Sequence, residues 1–100
     1  HVSYYSYVYI LASKKNGTLY VGVTRNLPKR VYEHRNDLVE GFTQQYKVHN
    51  LVYYEIFEDI KEAIKREKQL KNWKRAWKIK LIDSKNQLWE DLYDEIASNW

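Results

Sequence analysis

The sequence predicts an α+β domain, one sheet of three strands carrying helices, and three observations predict it. Tyr4–Leu11 and Leu19–Thr24 are aromatic and β-branched runs separated by turn residues, the pattern of an antiparallel hairpin. Leu51–Phe57 is a third run of the same kind, and no repeat or linker divides it from the first two. From Asp59 onward the apolar residues change to a helical period.

Taken in order, the first strand reads as buried on both faces, with Tyr7, Tyr9 and Leu11 on one side and Val8 and Ile10 on the other. Ser13-Lys14-Lys15-Asn16-Gly17-Thr18 supplies the turn, since Asn-Gly takes positive φ at little cost. In the return strand Tyr20 and Gly22 share a face opposite Leu19, Val21 and Val23. A glycine there weakens the strand; either it marks a bulge or twist point, or something approaches the backbone closely. Asn26 is a good N-cap, and Pro28 is tolerated in the first turn of a helix running from Leu27 to about Asn36. Leu27 and Val31 form its anchoring stripe, with Arg30 and His34 together on the adjacent face. Asp37–His49, carrying Phe42, Thr43 and Tyr46, has no sustained period and reads as a loop or broken turn.

Ile60, Ala63, Ile64, Glu67 and Leu70 follow one helical stripe, which Trp73 and Trp77 extend. Glu67 thus occupies an apolar slot, where an ionised carboxylate costs several kcal/mol unless a cation or donors meet it. The alternative is an edge position with Glu67 paired to Lys71 at i+4, and periodicity by itself leans towards that alternative. Leu70, Trp73, Trp77 and Leu81 recur at helical spacing, so the tryptophans read as core rather than as base-stacking platforms. Lys71, Lys74, Arg75 and Lys78 are left as an outer basic ridge, free to touch phosphates or simply solvated. Residues from about 87 to 97 read as an acidic amphipathic helix using Leu88, Trp89, Leu92 and Ile96, packed on the sheet or on the preceding helix.

One hundred residues, 44% hydrophobic, make a single domain over 1–100 with its core at about 5–83. No apolar run reaches the roughly 18 residues of a membrane span, and His1-Val2-Ser3 has no secretion-signal pattern. The absence of cysteine removes disulfides, zinc–thiolate clusters and thiol nucleophiles, and fits a reducing, cytoplasmic setting. The net charge of +4 is unevenly spread: residues 58–82 carry nine basic and four acidic groups, residues 83–100 one basic and five acidic. A basic middle beside an acidic tail suggests a polyanion-facing surface, although a solvated face is the commoner meaning of such a run.

Acyl-transfer chemistry finds no support without cysteine or a Gly-x-Ser-x-Gly turn. Glycines at 17, 22 and 41 cannot build a phosphate loop, and three histidines lack the spacing of a zinc site. Tyr9, Tyr20, Arg30, His34 and Glu67 remain, and these types suit phosphodiester hydrolysis. Arg30 matches phosphate oxygens with a bidentate fork. A lone carboxylate such as Glu67 can hold one Mg²⁺ that keeps most of its waters. A tyrosine beside a cation can have its pKa lowered enough to act as a base, with His34 assisting proton transfer.

Read together, the residues resemble the GIY-YIG nuclease superfamily, in particular its small stand-alone bacterial members. Tyr7-Val8-Tyr9 stands where that family has Gly-Ile-Tyr, and Tyr20-Val21-Gly22 where it has Tyr-Ile-Gly. Asn26-Leu27-x-x-Arg30-x-x-x-His34 looks like its arginine helix, and Glu62–Leu70 like its metal-carboxylate helix. Phe42-Thr43-x-x-Tyr46 and Trp73-Lys74-Arg75-Ala76-Trp77-Lys78 extend the likeness over nearly the whole chain. The resemblance implies a three-stranded antiparallel sheet flanked by helices, and hydrolysis of DNA with one Mg²⁺ or Mn²⁺ ion. It makes Tyr9 and Tyr20 the site phenols, Arg30 the phosphate ligand and Glu67 the metal ligand, and it puts His34 where the family has histidine or tyrosine. Gly22 and the ridge Lys71, Lys74, Arg75 and Lys78 are the accompanying substrate-binding candidates. Tyr7 departs from the family's first glycine, and the family's late asparagine has two candidates, Asn72 and Asn86. With no evident major-groove reading helix, selection of a DNA structure rather than a sequence is expected. Two rival readings are a catalytically weak nucleic-acid-binding module of the same fold, using the basic ridge, and a protein-interaction domain whose acidic tail docks a basic partner.

Overall fold

The computed structural model describes residues 5–36, 38, 41 and 45–98. The elements run β1 (Ser6–Ala12), β2 (Leu19–Thr24), α1 (Leu27–Arg35), β3 (Asn50–Phe57), α2 (Ile60–Asn72), α3 (Arg75–Lys85) and α4 (Tyr93–Ser98). The three strands form one antiparallel sheet in the order β2-β1-β3, as the hairpin and the third run predict. β1 is central and every one of its seven residues is buried, because helices cover both faces. The turn closes through Ser13 N–H to Thr18 O at 3.0 Å and Gly17 N–H to Lys14 O at 2.9 Å. Asn16 takes the positive φ, 59°.

Alternation sorts the core into two layers. Val8, Ile10, Ala12, Val21 and Tyr53 pack under α2 and α3 with Ala63, Leu70 and Ile82. Tyr7, Tyr9, Leu11 and Leu51 pack on the opposite face with Leu27, Val31 and Ile96. The pairing shifts between Ile10 and Leu11: Ile10 faces Tyr53, Leu11 faces Leu51, and Val52 is the extra residue. That bulge puts Val52 in the same layer as Tyr53.

Asn26 caps α1 by accepting from Lys29 N–H at 3.3 Å, and Pro28 sits in the first turn. The buried stripe of α1 is Leu27, Val31 and His34, so the imidazole lies on the stripe and not beside it. Asp59 caps α2 through Lys61 N–H at 2.9 Å. Of the loop expected over Asp37–His49, Phe42 and Thr43 lie outside the described residues, and Gln45 and Tyr46 form a helical turn.

Two expectations are corrected. The stripe from Ile60 to Trp77 is not one helix. Trp73 and Lys74 are extended, with ψ of 148° and 149°, and split it into α2 and α3. No proline or glycine forces the break. Tertiary contacts hold it: the Arg66 guanidinium lies 5.1 Å over the Trp73 ring, while Arg75 donates to the turn carbonyls of Asn16 and Gly17 at 2.6 and 2.5 Å. Trp73 is part-buried against the core, but the turned axis leaves Trp77 53% exposed, so Trp77 is not a core residue.

The acidic helix expected at about 87–97 is only Tyr93–Ser98. Side chains compete with helix here. Asn86 is buried and donates to Val52 O at 3.0 Å and Glu90 O at 2.8 Å, while its own oxygen accepts from Glu90 N–H at 3.0 Å. Trp89 turns inward at φ 55° and donates to Asp83 at 2.6 Å, whereas Leu88 is left exposed. Asp91 accepts from Leu51 N–H at 3.2 Å and pairs with Arg35. α4 therefore packs beside α1 on the far face of the sheet, and not on the preceding helix.

Candidate active site

The site is built around Tyr9. β1 carries it at the centre of the sheet, paired with Gly22 of edge strand β2. Its ring lies across that glycine: a Cβ on Gly22 would stand 2.4 Å from the Tyr9 hydroxyl and 2.5 Å from Cζ. Of the two explanations left open for this glycine, the close approach is the one observed, and what approaches is a ring of the same molecule. The bulge lies elsewhere, in β3.

Three rings meet there. The Tyr9 hydroxyl is 3.2 Å from His34 Nε2. Tyr20, one diagonal step along β2, has its ring centroid 6.3 Å from that of Tyr9 and 5.3 Å from that of His34. His34 reaches them because α1 crosses this face with its stripe inward. One turn earlier, Arg30 acts on the Tyr9 phenol, lowering its pKa, and donates to Glu33 Oε1 at 3.3 Å. Glu33 was not singled out from the sequence, although its i+3 spacing from the arginine is a signal for the pair.

Glu67 comes from the other face. It lies between Ala63 and Leu70 on the buried stripe of α2, which packs across β1 and β2. Its side chain is only 15% exposed, and Lys71 Nζ, itself half-exposed, meets Oε2 at 3.4 Å. Both readings of the sequence thus hold in part: the carboxylate pairs with Lys71 and also acts electrostatically on Tyr9.

The electrostatics differ from expectation in one respect. Burial pushes the Tyr9 phenol well above its usual pKa, Tyr20 adds to the rise, and the hydrogen bond and charge of Arg30 oppose it without cancelling it. A neighbouring cation alone does not prepare this tyrosine as a base. Burial pushes His34 down to about 4, and the charge of Arg30 acts in the same direction, so the imidazole is neutral at pH 7. If the phenol donates, the His34 ring proton sits on Nδ1.

Among the described residues no group of three or more His, Cys, Asp or Glu side chains could hold a metal ion. The donor set still suits one hydrated hard cation: Glu67 is a mostly buried carboxylate whose partner is a long, exposed lysine. Asn86 spends its amide on Val52 and Glu90, and Asn72 ends α2 at the surface, so neither asparagine points to chemistry. In the basic ridge, Lys71, Lys74 and Arg75 are exposed, Arg75 being tied to the hairpin turn and Lys71 to Glu67, while burial lowers the pKa of part-buried Lys78. No helix among the described residues is long and apolar enough to cross a membrane.

Comparison with known proteins identifies the family and the fold. The sequence model of the GIY-YIG catalytic domain matches residues 5–80. A UPF0213 protein of Clostridium perfringens is 41% identical over 91 residues, covering 91% of this chain and 97% of that protein. A UPF0213 protein of Staphylococcus saprophyticus is 38% identical over 76 residues, covering 76% of this chain and 92% of its own. The solution structure of the UPF0213 protein of Bacillus halodurans superposes with a TM-score of 0.55 at 29% identity, covering 87% of this chain and 92% of that one.

Proposed function

The chain belongs to the GIY-YIG catalytic-domain family, and from that premise we propose that it is a divalent-metal-dependent endonuclease cleaving DNA phosphodiester bonds, selective for structure rather than sequence. The observation that carries the proposal is Tyr9, whose hydroxyl meets His34 at 3.2 Å and whose pKa Arg30 lowers and, more weakly, Glu67 raises. A phenol and an imidazole meet on one face of the sheet beside a guanidinium, and a mostly buried carboxylate on the other face acts on the phenol through charge.

Arg30 would hold the non-bridging phosphate oxygens and stabilise charge that builds on them in the transition state. Glu67 would hold one Mg²⁺ or Mn²⁺. Bound there, the ion would supply Lewis-acid charge to the phosphate and to a water, and would reverse the sign of the influence Glu67 has on the phenol. Tyr9 then relays a proton: it accepts one from the attacking water while passing its own to Nε2 of His34. Tyr20 packs against both rings and orients them. As water adds to phosphorus the bond to the leaving oxygen breaks, and that oxygen takes a proton from solvent.

The test is nicking of plasmid and branched DNA in the presence of Mn²⁺. Glu67→Ala and Arg30→Ala should each lose at least about a hundredfold in rate, the scale of one removed electrostatic group. Wild-type protein that cuts no DNA form, or Glu67→Ala protein that cuts equally well, would overturn the proposal. The donor set of one carboxylate favours a second reading, a binding module of the same fold, and DNA that is retained but uncut would support it.

A further inference from the structure

We propose that Trp77 and the hollow beside it form a stacking subsite for an unpaired base, so that the DNA acted on carries a single-stranded segment next to the cleaved bond. The inference rests on the nuclease reading for the position of that bond, but its own evidence is separate. Single exposed apolar side chains are normal on any protein. The surroundings of Trp77 set it apart. Trp73 braces it edge-on, with ring centroids 5.9 Å apart at 86°, and the Lys74 ammonium stands 6.0 Å from the ring centre. A hollow of about 330 Å³ opens beside the two indoles, completed by Lys80, Leu81 and Ser84.

The charge decides the occupant. From Lys68 to Ile82 the chain carries six cations and no carboxylate. Protein interfaces are depleted in lysine, whereas strand-binding surfaces interleave aromatic platforms with cations that follow the phosphates. A base inside a duplex has both faces covered by its neighbours, so only a splayed or single-stranded base can lie on an indole. Lys74, beside the Trp77 ring, and Lys80, on the edge of the hollow, are the cations that would meet the phosphates flanking such a base. The tract also reaches the site: Lys71, in the last turn before the helix break, is the lysine that pairs with Glu67.

The break at Trp73–Lys74 is what creates the subsite. An unbroken helix would have kept Trp77 on the stripe of Ala63 and Leu70 and buried its ring. Fixing Arg75 to the hairpin turn swings the new axis, and the ring faces outward.

The test is binding without metal, read by fluorescence anisotropy on a short labelled oligothymidylate and on a blunt duplex of equal length. Trp77→Ala should weaken oligothymidylate binding by about 5- to 150-fold, the range for one lost base–aromatic stack, and leave duplex binding within about twofold. Trp77→Phe should keep most of the affinity, and the oligomer should quench the tryptophan fluorescence of wild type more than that of Trp77→Phe. Equal oligomer binding by wild type and Trp77→Ala, equal losses on both DNA forms, or no oligomer binding at all overturns the inference. Protein that binds through Trp77 but cuts nothing supports the subsite and removes the nuclease reading; protein that cuts but binds independently of Trp77 does the reverse.

Discussion

Replacing Gly22 with alanine adds one methyl group directly against the Tyr9 ring. The new Cβ would lie 2.4, 2.5 and 3.0 Å from the hydroxyl, Cζ and Cε1 of Tyr9. That ring is 1% exposed and cannot swing into solvent, so it must shift within a packed layer. Overpacking of this kind costs about 1–3 kcal/mol. Shifting the ring also separates the hydroxyl from His34 Nε2, now 3.2 Å away, and each buried polar group left unpaired adds about 1–3 kcal/mol. Against this, alanine is worth about 0.5–1 kcal/mol over glycine in a strand. The expected net loss is about 2–4 kcal/mol, read by urea unfolding with an unchanged m-value. The same change on a Tyr9→Leu background, which has no ring to meet the methyl, should cost nothing or gain a few tenths of a kcal/mol. Gly22→Ala protein as stable as wild type, with the His34 titration unmoved in its NMR spectrum, would refute the argument that the ring dictates the glycine.

Two further outcomes follow from the same contacts. His34 is held at about 4 in the folded state, against about 6.5 unfolded, so between those values the unfolded chain binds more protons. Stability is therefore fully present above about pH 6.5 and falls by up to about 3 kcal/mol towards pH 4; His34→Asn should flatten that limb, and no change in slope would contradict the assignment, given that Arg30, Glu33 and His49 also act on the ring. Asn86→Ala removes three hydrogen bonds, of 3.0, 2.8 and 3.0 Å, and leaves a bulge carbonyl unpaired, so calorimetry should report a loss of about 2–4 kcal/mol while the folded protein keeps whatever rate of the proposed DNA cleavage wild type shows.

The hairpin, its two faces and the α1 cap were legible because alternation and turn chemistry are local. Tyr9, Tyr20, Arg30 and His34 could be nominated together since two strands and one short helix place them within one stretch of chain. What local patterns could not supply was set by distant partners. The helix break at Trp73 depends on a carbonyl pair in the β1–β2 turn. The short C-terminal helix depends on Asn86 and Asp91 bonding to Val52 and Leu51, more than thirty residues away in sequence. The pKa of Tyr9 depends on how deeply it is buried, which no motif records.

The C-terminal contacts also bear on where this fold can be cut. The family match ends at residue 80, yet neither core layer is complete there. Ile82 and Trp89 belong to the layer under α2 and α3, and Ile96 to the layer that holds Tyr9. A fragment ending at residue 80 would therefore be a different object from the domain, with apolar surface newly exposed on both sides of its sheet and Leu51 of the bulge stripped of its partners at Asp91 and Leu92. Beyond Ser84 the closing segment carries none of the proposed chemistry. It is thus the part of the chain in which sequence can drift, or an engineer can work, to retune thermal endurance while the reacting groups stay as they are.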